Sequence, residues 1–215
     1  MRICSVPECG KKHHSKGYCR NHAYIYNKRG YIPLKTKISK NEYIYVGGYY
    51  EIILCNPYGE EVSRTKVDEI DIGLLSKYKW HMDNHGYAKT GHKKSTPIRL
   101  QNLIIEHDPE MLVDHVNGDK LDNRRENLRV CTRQQNCWNS KKSERALSSK
   151  YKGVSLCRSD LKWVSSICLN GIPVTIGRYA TEEEAAREYD SKAKELFGEF
   201  AKLNFKGEED EVRKG

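Results

Sequence analysis

No apolar run in this 215-residue sequence approaches the roughly 18 residues that a membrane span requires. The opening MRICSVPECG also lacks the apolar stretch of a secretory signal. Both absences lead to the expectation of an intracellular, cytoplasmic protein. Apolar residues make up only 37% of the chain against 31% charged, too few for one large core, so several small modules are expected. Acid is nearly missing from the first 40 residues, which hold one carboxylate against ten Lys or Arg. Their excess of nine equals the excess of the whole chain, and everything after residue 40 sums to zero. A basic arm ahead of balanced modules suits a polyanion, because each phosphate neutralised releases condensed counterions.

Eight cysteines in a reducing compartment are read as thiols or metal ligands rather than disulfides. Four potential ligands fall close together: Cys4, Cys9, Cys19 and His22, in a C-x4-C-x9-C-x2-H spacing that can close a tetrahedron around zinc. His13 or His14 could replace one of them. So short a segment cannot bury enough apolar surface to order itself, and metal ligation would supply the missing folding free energy.

The expected fold class is α+β, built of small modules. An N-terminal zinc finger-like segment covers 1–30 and a central module 40–140. A basic, Ser-rich linker covers 141–150, and 151–205 form a three-stranded antiparallel sheet packed on one helix. In the central module YIYV, YYEIIL and EVSRTKV are strand-like, with NPYG turn chemistry between the last two. A short helical pattern follows at DEIDIGLLSKY, and Leu74 and Trp80 are expected in the core. In the last module YKGVSL, KWVSSICL and IPVTIGRY are the strands, and Asn170-Gly171 is a tight-turn signal. Thr181 and Glu184 form a capping box that opens a helix whose apolar face holds Ala185, Ala186, Tyr189, Ala193, Leu196 and Phe197.

Chemistry concentrates in residues 111–139, MLVDHVNGDKLDNRRENLRVCTRQQNCWN. A short strand delivers Asp114 and His115, a turn-rich loop and second strand follow, and Thr132 with Gln135 cap a helix whose first turn holds Asn136. Hydrolysing a phosphodiester needs a base for water and a cation for the phosphate and leaving oxygen. Asp114 and the Asn136 amide oxygen are hard ligands suited to magnesium or manganese. His115, with an ordinary pKa of about 6.5, can accept a proton from water near neutral pH.

DHVNGDKLDNRRENLRVCTRQQNCWN resembles the HNH, or ββα-metal, nuclease motif in the form carried by phage and intron-encoded homing endonucleases. The resemblance implies Asp114 and Asn136 as metal ligands, His115 as general base, and Asn127 holding the loop between the strands in shape. It also implies Arg124, Arg125 and Arg129 as phosphate contacts. Such proteins often carry a His in the apolar stretch ahead of the motif, where this chain has Gln101.

YKGV, KWVSSI, IGRYATEEEAAREYD and FGEFAKLNF resemble the ethylene-response-factor (APETALA-two) type of DNA-binding domain, which lays its sheet in the major groove. Residues 150–179 carry +4 and 180–200 carry −4, so the sheet would face DNA and the helix would face away. Alternation on the second strand puts Trp163, Ser165, Ile167 and Leu169 toward the helix. Lys152, Arg158, Lys162, Ser166 and Thr175 are then the outward DNA candidates. Lys141 and Lys142 in the linker could track along phosphates.

The expected function is a site-specific DNA endonuclease of the homing type. It would act on double-stranded DNA, with Mg2+ or Mn2+ for catalysis and Zn2+ for structure, and it is expected to be a monomer. A non-catalytic DNA-binding regulator is the rival reading, and an RNA-directed nuclease a third. Metal-dependent cutting of duplex DNA would separate them.

Overall fold

A strand buried on both faces anchors the first sheet of the computed structural model, which describes residues 2–7, 9–32, 40–57, 59–91, 96–142 and 148–205. Strands β1 (Tyr43–Tyr45), β2 (Tyr50–Cys55) and β3 (Glu61–Val67) pair antiparallel in the order β1-β2-β3. The central strand β2 buries Ile52, Ile53 and Leu54 in succession, as a strand covered on both faces must. The expected hairpin between β2 and β3 is present, although Tyr58 at its turn lies outside the described residues. Residues 33–39 of the basic arm and 143–147 of the expected linker lie outside them too. Among the described residues, no helix is long and apolar enough to cross a membrane.

The chain divides into two compact units, Met1–His107 with Asp119–Arg129, and Asp108–Gly118 with Val130–Gly215. It is a mixture of helices and small sheets. The first unit begins with a Cys/His knuckle and α1 (Arg20–Arg29) and continues through the first sheet to α2 (Ile72–Leu75). It then adds a second three-stranded sheet of β4 (His81–Met82), β5 (Ala88–Thr90) and β6 (Ile98–Arg99), and ends in α3 (Leu100–Ile104). Trp80 is fully buried as expected, and its indole N–H donates to Leu75 O at 2.9 Å. The core position expected of Leu74 falls to its neighbour. Leu75 is fully buried and Leu74 only partly, because one turn of helix can turn just one of two adjacent leucines inward.

The second unit contains β7 (Leu112–His115), the last two residues of β8 (Leu128–Cys131), the strand that β7 pairs with, and then α4 (Arg133–Trp138). After these come β9 (Val154–Cys157), β10 (Lys162–Leu169) and β11 (Ile172–Tyr179) in the sheet order β11-β10-β9, and α5 (Glu182–Phe197). Asn170 and Gly171 both take positive φ, 52° and 82°, the geometry whose twist matches the β10–β11 hairpin. Both capping boxes form, Thr132 with Gln135 on α4 and Thr181 with Glu184 on α5. Helix α5 buries Ala185, Ala186, Tyr189, Ala193 and Phe197, but Leu196 is 38% exposed, because it lies at the edge of the apolar stripe. Trp163 packs with Val154, Ala185 and Ala186, as strand alternation requires.

Candidate active site and metal centre

Asp114 and His115 end β7, and both are buried. What holds them is Asn139, the residue that closes α4. Its Nδ2 donates to Asp114 Oδ2 at 2.9 Å and to His115 O at 2.8 Å. One side-chain amide thus ties the C-terminal end of α4 to the end of β7. Asn136 lies three residues earlier on α4, half-buried, on the helix face that Asn139 turns toward Asp114. Asp114, His115, Asn136 and Asn139 all belong to the second unit. Sequence reasoning missed Asn139. The signal available was a second Asn one helical turn after Asn136, too polar to be buried without a partner.

The loop after His115 is braced by residues far along the chain. Lys202 Nζ donates to Asn117 O at 3.2 Å. Gly118 has φ 75°, and a Cβ there would stand 3.3 Å from Lys202 Nζ and 3.6 Å from Lys141 Cε. Two lysines therefore flank the residues that follow the imidazole. Lys141 was among the expected phosphate contacts and is exposed; Lys202 was not foreseen.

Helix α4 is fastened to the C-terminal sheet and helix. Trp138 stacks on Phe197 with ring centroids 4.3 Å apart and planes 10° from parallel. Lys152 Nζ donates to Trp138 O at 2.5 Å and to Ser140 O at 2.7 Å, carbonyls that the end of the helix leaves without intrahelical partners. This corrects the expectation that Lys152 faces DNA. The side chain turns inward, and burial followed by repulsion from Lys202 pushes its pKa down to about 8. Lys142 is corrected likewise, because its Nζ donates to Tyr151 O at 2.6 Å and Val154 O at 2.8 Å, and burial lowers its pKa. Arg158, Lys162 and Thr175 are exposed and Ser166 is half-buried, with Ser166 directly opposite Thr175 across the β10–β11 pair.

In the first unit Asn127 is buried, and its Nδ2 donates to Asp122 O at 2.7 Å, fixing the loop 122–127. Asn123 Nδ2 donates to Thr65 Oγ1 at 2.8 Å, and the backbone of 121–123 joins Lys66 on β3. Two expected phosphate contacts serve this frame instead. Arg124 grips both oxygens of Asp122 at 2.8 Å each, and Arg125 grips Asp71 at 2.7 and 3.0 Å. These planar, bidentate pairs leave the guanidinium groups committed to carboxylates. The Arg124 guanidinium holds the Asp122 carboxyl below the usual range, and each Arg is raised by its partner. Arg129 is half-buried on β8. Gln101 is buried in α3, and its Oε1 has no hydrogen-bond partner among the described residues.

At the N-terminus, Cys4, Cys9, Cys19 and His22 bring their ligand atoms within 4.8 Å of one another. Cys9 Sγ and Cys19 Sγ are 3.8 Å apart, Cys19 Sγ and His22 Nδ1 3.6 Å, and Cys4 Sγ and His22 Nδ1 3.2 Å. A tetrahedron with zinc bond lengths has edges of about 3.8 Å between sulfurs and about 3.6 Å from sulfur to nitrogen, so the donors are spaced to fit zinc. A disulfide would need the sulfurs at about 2 Å. Burial, then Lys11, lowers the His22 pKa and favours the neutral ring that a metal needs. His13 is not a ligand here, because its Nε2 accepts the Gly17 N–H at 3.0 Å, and neither His13 nor His14 joins the cluster.

A family model described as HNH endonuclease matches residues 106–137. An uncharacterized HNH endonuclease of Acanthamoeba polyphaga mimivirus is 38% identical over 135 residues, which span 61% of this chain and 69% of the viral protein. No solved structure matches the chain.

Proposed function

Because the chain belongs to the HNH endonuclease family, we propose that it is a site-specific endonuclease of double-stranded DNA, of the homing type. The observation that supports this reading is the bond from Asn139 to the Asp114 carboxylate and the His115 main-chain carbonyl, which ties the end of β7 to the helix that bears Asn136. Asp114 and Asn136 would hold Mg2+ or Mn2+, whose charge offsets that growing on the phosphate and the leaving oxygen. The donor set fits such an ion. Both groups offer hard oxygens, and Asn139 orients the Asp114 carboxylate through one of its oxygens.

His115 is the proposed general base and takes a proton from the attacking water. Its main chain is pinned by Asn139, which limits how far the imidazole can drift. Water adds to phosphorus, the bond to the 3′ oxygen breaks, and a 5′ phosphate and a 3′ hydroxyl result. Asn127 keeps the preceding loop in shape. Lys141 and Arg129 would meet phosphates, and Arg158, Lys162, Ser166 and Thr175 on the β9–β11 sheet would lie along the groove. The Cys4, Cys9, Cys19 and His22 cluster would hold one structural Zn2+. The working form is proposed to be a monomer inside the cell.

The test is cleavage of duplex DNA by the full chain with added Mg2+ or Mn2+, including the DNA that flanks its own gene, where a homing enzyme has its target. Cutting should stop with chelator, and His115→Ala should abolish cutting while binding survives. Tight binding without cutting under any divalent metal would instead favour a non-catalytic regulator. Cutting confined to RNA would replace the substrate.

A further inference from the structure

Helix α1 presents two unlike faces. His22, Ala23 and Ile25 are buried, and Cys19 at the N-cap and His22 in the first turn both belong to the metal-spaced cluster. The other face exposes Arg20, Asn21, Tyr24, Asn27 and Lys28, and Lys11, Lys12 and Lys16 are exposed on the loop that precedes it. Residues 2–32 hold a single carboxylate, Glu8, against seven Lys or Arg. The helix is not a frayed arm, because Arg29 in its last turn makes an ion pair with Glu60 on the β2–β3 hairpin. Gly30, at φ 77°, terminates it with an N–H bond to Tyr26 O.

From this placement we infer that α1 is a DNA-docking helix in its own right, with Arg20, Asn21, Tyr24 and Asn27 turned into the major groove and the basic loop beside it on the phosphates. The inference rests on the DNA-nuclease reading for its choice of polyanion. Ten helical residues span about 15 Å, and a B-form major groove about 12 Å wide admits one α-helix. The exposed side chains are of the kinds that meet nucleic acid: Arg for guanine edges and phosphates, Asn for adenine, and Tyr for sugar and base surfaces. Residues 2–32 carry six of the nine excess positive charges of the entire chain, so the strongest pull on a polyanion is here. The cluster's part is mechanical. It fixes the first turn of α1 and so the angle at which the helix is offered.

Full-length Arg20→Ala/Tyr24→Ala protein, with Lys12→Glu as a second variant, would be compared with the parent. The readings are zinc content, anisotropy of labelled duplex DNA over a series of salt concentrations, and Mg2+-dependent cutting at saturating DNA. The inference expects zinc to be retained, affinity to fall tenfold or more, and the salt dependence to flatten by about one counterion for each basic residue removed. It also expects cutting at saturation to stay within about twofold of the parent, because neither variant touches Asp114, His115 or Asn136. Unchanged affinity and unchanged salt dependence with zinc retained would overturn it. So would loss of affinity for single-stranded RNA while duplex DNA binding is untouched. If the parent binds DNA but never cuts it, the nuclease reading fails, and the affinity comparison still decides the role of α1.

Discussion

Asn139 Nδ2 sits between Asp114 Oδ2, at 2.9 Å, and the carbonyl oxygen of His115, at 2.8 Å. Groups that orient a metal ligand without touching the metal commonly change metal affinity or activity by about 10–100-fold when removed. Asn139→Ala should therefore lower Mg2+-dependent cutting by about that factor, with part of the loss recovered at higher metal concentration. Asn139→Asp, which places a second negative charge beside Asp114, should do worse than alanine at low metal. Rates equal to the parent across a full metal titration of Asn139→Ala would show that Asp114 needs no such support.

Trp138→Ala removes one half of the stacked pair that fastens α4 to α5. Truncating a large aromatic together with its stacking partner's contact is expected to cost about 2–4 kcal/mol of stability. Urea denaturation followed by circular dichroism would measure it. A loss below about 1 kcal/mol would mean that α4 is held by its other contacts alone.

Gly153 takes φ 76°, and a Cβ there would stand 1.9 Å from Tyr189 Cδ2, a ring buried under the sheet. Gly153→Ala thus combines a left-handed backbone with an overlap that the core cannot relax easily. The expected cost is about 3 kcal/mol or more. A melting temperature within a few degrees of the parent would contradict it.

Lys152 carries a pKa pushed down to about 8, so between that pH and the ordinary lysine value of about 10.4 the unfolded chain binds its proton more readily than the folded one. Stability contributed by this group accordingly rises as pH increases through that window, and the burden of burying its charge is full below it. Denaturation at pH 7.5 and 9.5 should show the parent gaining on Lys152→Met as pH rises. A difference that does not change with pH would place the charge in solvent.

Elemental analysis of purified protein should give about one zinc per chain, lost in a Cys4→Ser/Cys9→Ser variant together with the ordered knuckle. Metal-free protein with the same circular dichroism and protease resistance in its first 32 residues would reduce the cluster to four neighbouring side chains.

Local patterns were readable in the sequence because they depend on neighbours along the chain. Both capping boxes, the Asn170-Gly171 turn and the faces of β10 needed only separations of a few residues, and the Cys4–His22 cluster only 18. What escaped depends on the partner that the fold presents to each group, in most cases from ten or more residues away. Lys142 reads as a solvated linker charge and Lys152 as an outward DNA contact, but the carbonyls of Tyr151 and Val154 face the first and those of Trp138 and Ser140 the second. Arg124 and Arg125 sit in a run of basic residues that reads as phosphate-binding, yet Asp122 and Asp71 had claimed them. Asn139 was overlooked because a motif directs attention to Asn136, and only burial shows which amide holds the acid.

The hydrogen bond from Lys202 to Asn117 spans 85 residues. A ribosome adds residues at about 5–20 per second, so several seconds separate the appearance of the imidazole from that of the lysine that steadies its loop. During that interval the nascent polypeptide already holds the loop 116–118 but not the side chain that braces it. The turn after residue 115 thus gains this brace only once residue 202 has been made.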